Sequence, residues 1–403
     1  RDARPGPRQN RDLPIQSSHF LLPFRSLVTL KTGRNEQSRR ALPPSTPVVN
    51  LWAVHIRKGE AMLLPTSKLF KAGEFTLELG GALGELALAY ETWGVLNAAG
   101  DNAILLCHGY TSNPHAAGDS TGWWHNLIGP GRAMDTDKYF VVCANMIGSA
   151  YGSTGPGSTN PATGAPYGPD FPDITTGDMV RAQGMLLDDL GVGQLAAVVG
   201  FSYGGYLTFQ WGVLHPTRMR ALVPVASWNK SRGGPDSVTA IIDRFAECPG
   251  WNGGHYYGPE KESGVFDKLA AVRVDTLRSY GVDRALADKL GSADAATRGL
   301  EKLGRQWAGE FDANSLIVSR RAAILFNAWD NAANITAPLL YVLSNTDTRF
   351  PPDLADTTMA HLKASGVDAR YVELDSPYGH RAPSEDWVKW AGDLEAFLDE
   401  HAG

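Results

Sequence analysis

The sequence predicts an α/β protein, a mostly parallel sheet flanked by helices with a helical cap inserted in its second half. Three observations carry this. Short apolar runs such as Ala103–Cys107, Leu195–Val199, Ala221–Ala226 and Leu339–Leu343 read as strands buried on both faces. Helical patterns alternate with them: in Thr175–Leu190, Met179, Ala182, Leu186 and Leu190 share a face, and Gly191 closes the helix. Between residues 228 and 333 the alternation stops, and helical patterns rich in Trp, Tyr and Leu, such as Phe266–Tyr280 and Ser315–Asn327, replace it.

In chain order, residues 1–61 stand apart. They carry 11 Lys or Arg against 4 Asp or Glu, whereas the whole chain of 403 residues has a net charge of −6. Arg, Pro, Ser and Gln dominate and periodicity is poor, so this basic segment is expected to lie outside the fold. A nucleic-acid arm and a transit peptide are the sharper readings of it. The simpler one is upstream DNA translated in frame, with Met62 as the natural start, since Lys58-Gly59-Glu60 can be encoded by a purine-rich run of the ribosome-binding kind. The core is then expected over 62–227 and 334–403, and the cap over 228–333.

Within the core, Phe75–Leu79 and Leu86–Thr92 alternate like an antiparallel opening hairpin. Strands follow at Ala103–Cys107 and Tyr139–Ala144, then a Gly/Pro/Ser/Thr loop from Gly148 to Pro172 and the helix Thr175–Leu190. The strand Leu195–Val199 leads to a helix at Tyr206–Leu214, which Pro216 stops. After the cap come Leu339–Leu343, a helix at Pro352–Ala364, the strand Arg370–Leu374 and a closing helix, Ser384–His401.

Composition excludes several classes. The body beyond residue 61 is acidic, which argues against a nucleic-acid partner. There is no apolar run of about 18 residues to span a membrane. Three cysteines are too few and too scattered for a disulfide framework or a zinc site, and a reducing cytoplasm is the expected setting. No metal or nucleotide motif appears, so no cofactor is expected.

The chemistry centres on Gly200-Phe201-Ser202-Tyr203-Gly204, a G-x-S-x-G match that follows a strand and opens a helix. In that context the serine sits in a strained turn, and the flanking glycines leave the space a side chain would fill. Gly118-Asp119-Ser120-Thr121-Gly122 matches the same pattern, but no strand feeds it and no clean helix leaves it. Ser202 is therefore the expected nucleophile. A serine needs a base, and the base needs a carboxylate to orient it, in the chain order Ser, acid, His. Of the histidines beyond Ser202, His215 lies on the nucleophile's own helix, His255 in the cap, His361 in the penultimate helix and His401 in the tail. Only His380 follows a strand, on a loop at the sheet's carboxyl edge. Asp347 likewise follows the strand Leu339–Leu343, and is preferred to Asp353, at a helix start, and to Asp375, too near His380. The two oxyanion donors are expected to be the backbone N–H groups of Tyr203, after the serine, and Tyr110, after the Ala103–Cys107 strand.

With those residues placed, the chain resembles the homoserine O-acetyltransferase family of α/β-hydrolase-fold enzymes, from about residue 70 to the C-terminus. The likeness is carried by Leu88-Ala-Tyr-Glu-Thr-Trp-Gly94, His108-Gly-Tyr-Thr, Gly122-Trp-Trp, Gly152-Ser-Thr-Gly-Pro156, Asn160-Pro-Ala-Thr-Gly, Tyr167-Gly-Pro-Asp-Phe-Pro172, Trp251-Asn-Gly-Gly, Phe311-Asp-Ala-Asn-Ser315 and Tyr378-Gly-His380. It implies Ser202, Asp347 and His380 as triad, Tyr110 and Tyr203 as oxyanion donors, and a homodimer through the cap. It also implies an Asp directly after the catalytic His, holding the homoserine ammonium, and a cap arginine holding its carboxylate. Here the first position is Arg381, and Arg244 is the nearest match to the second.

Either way the small-molecule partner is an ester or acyl donor. The Arg381 guanidinium is always charged, and against an unpaired ammonium at about 4 Å it would cost about 4 kcal/mol at an effective dielectric near 20. The expectation from Arg381, and from Gly200-Phe-Ser-Tyr-Gly-Gly205 where the family typically reads Gly-Gly-Ser-Met-Gly-Gly, is therefore a serine carboxylesterase for short-chain esters, in which water resolves the acyl-enzyme. The alternative is an O-acyltransferase that uses acetyl-CoA and homoserine. A silent binding protein is disfavoured by the complete triad, and Ser202 excludes a haloalkane-type hydrolase, which needs Asp there.

Overall fold

A computed structural model describes residues 63–257 and 264–403, so the segment 1–61 lies outside the described residues. Eight strands form the main sheet: β1 (Lys68–Ala72), β2 (Leu86–Trp93), β3 (Ala103–Cys107), β4 (Phe140–Ala144), β5 (Leu195–Phe201), β6 (Leu222–Val225), β7 (Leu339–Ser344) and β8 (Ala369–Leu374). Their spatial order is β1-β2-β4-β3-β5-β6-β7-β8. β2 runs antiparallel to both β1 and β4, and every other neighbouring pair is parallel. The chain reverses its lateral direction at β3, with β4 on one side of it and β5 on the other. That leaves a crevice beyond the carboxyl ends of β3 and β5, the switch point at which open α/β sheets bind ligands.

The apolar runs become strands because both faces are covered. Ala103, Leu105 and Cys107 of β3 face one core cluster, while Ile104 and Leu106 face the other. Helices α1 (Thr176–Asp189) and α2 (Tyr203–Leu214) cover the first face together with α8 (Leu354–Ala364). The second is closed by α10 (Ala391–His401) and by Ala116, Trp124 and Met134. Thr175 caps α1: its hydroxyl oxygen accepts the Asp178 N–H, and the Asp178 carboxylate accepts the Thr175 N–H.

From 228 to 333 the described residues form no strand beyond one isolated bridge, Lys230 to Asn327. They form α3 (Asp236–Ala246), α4 (Val265–Ser279), α5 (Val282–Leu290), α6 (Ala293–Glu310) and α7 (Ala313–Leu325). Phe245, Trp251, Leu269, Trp307 and Phe311 build a third apolar cluster there. α7 belongs to two cores at once, with Leu316 and Ile317 in the cap cluster and Val318, Ala322 and Ala323 in that of the sheet. No helix among the described residues is long and apolar enough to cross a membrane.

Three expected elements differ. Leu86–Thr92 does not pair with Phe75–Leu79. Its partner is β1, in the register Lys68↔Tyr90 to Ala72↔Leu86, while Phe75–Thr76 closes a tight loop on Ala82–Leu83. β1 carries one buried side chain, Phe70, too little for a period-two signal. The nucleophile helix starts at Tyr203, three residues earlier than expected, because it leaves the serine turn directly. The closing helix is split into a single turn, α9 (Ala382–Glu385), and α10, since Trp390 turns inward between them and its indole N–H donates to the Pro383 carbonyl at 3.0 Å.

The loop beyond β3 is braced by a charge cluster. His115 Nδ1 lies 2.8 Å from Glu91 of β2, and its Nε2 lies 3.2 Å from Asp119. The Glu91 hydrogen bond leads in raising the His115 pKa, opposed by burial and aided by Asp119. Burial alone would raise the Glu91 carboxyl, but hydrogen bonds from His115, Thr66 and Ser67 carry it below its ordinary value. A histidine whose pKa rises on folding adds stability that is complete below its unfolded value and is lost as pH climbs through the folded one. Glu91, shifted down, loses its share as pH falls from about 4.5. His115→Gln should therefore lower the melting temperature by a few degrees at pH 6 and by clearly less at pH 9. A pH-independent difference would mean that His115 acts there by shape alone.

Candidate active site

The serine at the crevice is held in a conformation few residues adopt. Ser202 lies between β5 and α2 with φ 57° and ψ −115°. Its N–H donates to the Val225 carbonyl of β6 at 2.8 Å, and its carbonyl accepts the Gly205 N–H at 2.9 Å. A Cβ on Gly200 would sit 2.1 Å from the Gly204 oxygen, and one on Gly204 would sit 1.9 Å from the Cys107 oxygen of β3. Only glycine lets the turn pass between its neighbours, and that passage keeps the strained serine in place.

The predicted base and acid arrive from the loops after β8 and β7. His380 Nε2 accepts the Ser202 hydroxyl at 2.9 Å, and His380 Nδ1 donates to Asp347 Oδ2 at 2.7 Å. The other oxygen of Asp347 accepts the N–H groups of Arg349, at 2.8 Å, and Phe350, at 3.2 Å. Both oxygens are thus occupied, which fixes the carboxylate and through it the imidazole tautomer. The two loops also brace each other: Gly379 N–H donates to Thr346 Oγ1 at 3.0 Å, and Ser376 N–H donates to Asn345 Oδ1 at 3.0 Å. Phe201, Tyr280 and Phe350 surround the His380 ring, with centroids 5.0, 5.1 and 5.8 Å away. A line of this kind can deprotonate a serine as it attacks a carbonyl.

Neither the Tyr110 nor the Tyr203 amide donates a hydrogen bond to another described residue, so both remain available to a developing oxyanion. Their side chains do something sequence reasoning missed. The two rings stack at 5.7 Å, the Tyr110 hydroxyl donates to the Leu316 carbonyl, and the Tyr203 hydroxyl donates to the Ser319 carbonyl at 3.1 Å. The cap helix α7 thereby grips both donor-bearing turns.

The arginines are arranged differently from the expectation. Arg244 is half exposed and lies 3.8 Å from the Asp275 carboxylate, an ion pair on the cap surface. The arginine that reaches the site is Arg273 of α4. Its Nη1 donates to Thr111 Oγ1 at 2.8 Å, and its guanidinium lies 5.1 Å from the Trp307 ring centre. Tyr280, two turns further along the same face, is the residue packed on His380. Burial lowers the Arg273 pKa, Tyr151 and Tyr280 act against that shift, and the charge of Arg381 adds to it. Among the described residues no carboxylate pairs with Arg273. A signal existed in the sequence: Leu269, Arg273 and Leu277 recur every four residues, which places the arginine on the helix's buried stripe.

Arg381, next to His380, is not a free cation. Its Nε and Nη2 both donate to Glu385 Oε1, at 3.1 and 2.6 Å. Ser120 is exposed and makes no hydrogen bond to a histidine among the described residues. Beside the site a cavity of about 260 Å³ opens between the loop at 149–158 and the cap, lined by Tyr151, Tyr256, Phe266, Glu310 and Asp312 among others, and none of Ser202, Asp347 and His380 lines it.

A family model described as the alpha/beta hydrolase fold matches residues 102–385. Homoserine O-acetyltransferase of Moorella thermoacetica is 39% identical over 351 residues, spanning 80% of this chain and 93% of that protein. The chain belongs to the homoserine O-acetyltransferase-like family of α/β hydrolases. Among solved structures, esterase E22 superposes with a TM-score of 0.74 at 28% identity, covering 82% of this chain and 99% of that one. Homoserine O-acetyltransferase from Bacillus anthracis superposes with a TM-score of 0.70 at 27% identity, covering 84% and 98%.

These findings overturn the esterase expectation. The 39% identical relative is an acetyltransferase, while the likeness to an esterase is structural and more distant in sequence. The physical premise fails as well, because the repulsion assigned to Arg381 assumed an unpaired guanidinium, and Glu385 neutralises it. The serine assignment is checked by whole-protein mass spectrometry after exposure to an activated acetyl ester. Unmodified protein and Ser120→Ala should each gain one acetyl group, Ser202→Ala none, and Asp347→Asn should acylate slower by about four orders of magnitude. An adduct that survives Ser202→Ala would sink the assignment.

Proposed function

We propose that this protein is an O-acyltransferase that passes an acetyl group from a thioester such as acetyl-CoA, through Ser202, to the side-chain hydroxyl of homoserine. Ser202 Oγ attacks the thioester carbonyl while His380 Nε2 takes its proton. The oxyanion is held by the amides of Tyr110 and Tyr203, and the thiolate leaves with the proton from His380. The hydroxyl of homoserine then attacks acyl-Ser202, giving its proton to His380. Collapse of the second tetrahedral intermediate releases the O-acetyl product and returns the proton to Ser202.

Arg273 is the observation that carries the reading. A half-buried guanidinium without a carboxylate partner, on the cap face whose Tyr280 touches His380, suits a substrate that brings its own carboxylate. Water needs no such anchor, whereas an amino-acid acceptor does. The names of the curated relatives support the same acceptor.

Incubation with acetyl-CoA and homoserine should release thiol and O-acetylhomoserine in equal amounts, followed by thiol titration and mass spectrometry of the products. Arg273→Met should raise the KM for homoserine by at least about tenfold, with the acetylation of Ser202 by acetyl-CoA little changed. Thiol release without O-acetylhomoserine would rule the reading out.

A further inference from the structure

We propose that the cavity of about 260 Å³ between the loop at 149–158 and the cap is a second ligand site, separate from the catalytic one, and that it takes a small organic cation of the alkylammonium kind. Its volume lies just below the ~300–1,000 Å³ of drug-sized pockets, which sets the occupant at the scale of a metabolite. None of Ser202, Asp347 and His380 lines it, so a molecule there is held apart from the reacting serine.

Glu310 supplies the charge. It is the last residue of α6, where a carboxylate meets the negative end of the helix dipole. It is also half-buried, and among the described residues no hydrogen-bond donor or cation pairs with it. Burial accordingly raises its carboxyl above the ordinary value. Arg305, on the same helix, is paired with Asp267 at 2.8 Å, and Arg273 donates to Thr111. A carboxylate at the wrong end of a helix, partly buried and without a partner, costs stability in three ways. A residue so placed beside a cavity is suited to holding a ligand.

The walls fit the same occupant. Tyr256 and Tyr257 stack at 4.6 Å, Tyr151 lies 5.7 Å from Phe311, and Phe266 completes the aromatic lining. Aromatic rings attract a cation over their faces, more strongly where water is excluded, and offer an anion nothing comparable. The other carboxylate on the lining, Asp312, is fully engaged. One of its oxygens accepts the hydroxyls of Tyr256 and Tyr257, and the other accepts the Ser315 N–H at 2.7 Å and hydroxyl at 2.8 Å. A metal ion would need several oxygen ligands, and Asp312 has none to spare. An ammonium with alkyl groups asks for less: one carboxylate for its charge and rings for its carbons.

Choline and its neutral isostere 3,3-dimethylbutan-1-ol, each titrated into the full chain and followed by ligand-observed NMR, test this. Choline should bind at least about tenfold more tightly than the isostere. Glu310→Gln should cost choline about tenfold or more and leave the isostere's affinity where it was. Phe266→Leu should weaken choline in the same selective way. Glu310→Gln should also be acetylated on Ser202 by the activated ester at the unmodified rate, which shows that the variant is folded. Equal binding of the two ligands overturns the proposal, since an apolar cavity would hold both without a charge. Choline binding that survives Glu310→Gln unchanged overturns it too, as does an absence of choline binding in the unmodified protein. If homoserine displaces choline and Glu310→Gln raises the KM for homoserine, the cavity belongs to the acceptor and the claim of a separate site falls. The binding measurements do not depend on which acceptor Ser202 serves, so they stand or fall apart from the acyl-transfer reading.

Discussion

The backbone of one residue sets the terms for the site. Ser202 is held at φ 57°, in a region that costs an L-residue of order 1–3 kcal/mol, and something must hold it there. The restraint is the sheet. β3 presses its Cys107 carbonyl where a Cβ of Gly204 would be, and β6 takes the Ser202 N–H on the Val225 carbonyl. The strain is thus an outcome of packing two βα turns against the central strands. Its effect is to hold the Ser202 hydroxyl at the sheet edge, 2.9 Å from His380 Nε2.

The other groups of the site are positioned by the same sheet edge. Asp347 and His380 leave adjacent parallel strands, β7 and β8, so their loops lie side by side and can bond each other before they bond the serine. The cap is a structural partner in this. α7 packs into both the sheet core and the cap core, and its Leu316 and Ser319 carbonyls accept the hydroxyls of Tyr110 and Tyr203. A donor pair fixed in advance stabilises a developing oxyanion without reorganising as charge builds. A buried and a half-buried tyrosine, each hydrogen-bonded to a helix carbonyl, are a rigid way to fix it.

What the sequence made legible follows from burial. Ala103–Cys107 and Leu339–Leu343 are apolar without interruption because they are covered on both faces, and such runs can be read directly. β1 has one buried side chain and sits at the sheet edge, so its pairing was invisible. The order Ser202, Asp347, His380 could be read because each follows a strand, and loops at one sheet edge converge whatever the distance between them in sequence. Arginines had no such guide. Choosing Arg273 over Arg244 required knowing which face of α4 turns inward, a face the Leu269–Leu277 spacing indicated only once the helix itself was in place.

Arg381 shows the limit of reading charge one residue at a time. Beside His380 its sign argued against an ammonium and, with the altered serine turn, for water as acceptor. Glu385, four residues on, answers that charge across one helical turn, a pairing as common on helices as it is easy to overlook. Once it is counted, Arg273 remains a guanidinium that no carboxylate pairs among the described residues, a group suited to an anion. Transfer competes with hydrolysis only where an acceptor is held in line with the acyl group, since orientation is what converts a dilute alcohol into an effective nucleophile. An anchored carboxylate supplies that hold. Phe201, Tyr280 and Phe350 pack around the His380 imidazole and would shield from water an acyl group held on Ser202. On the proposed acyl-transfer reading, Arg273 and these walls suit the same acceptor, one that carries a negative charge at one end and a hydroxyl at the other.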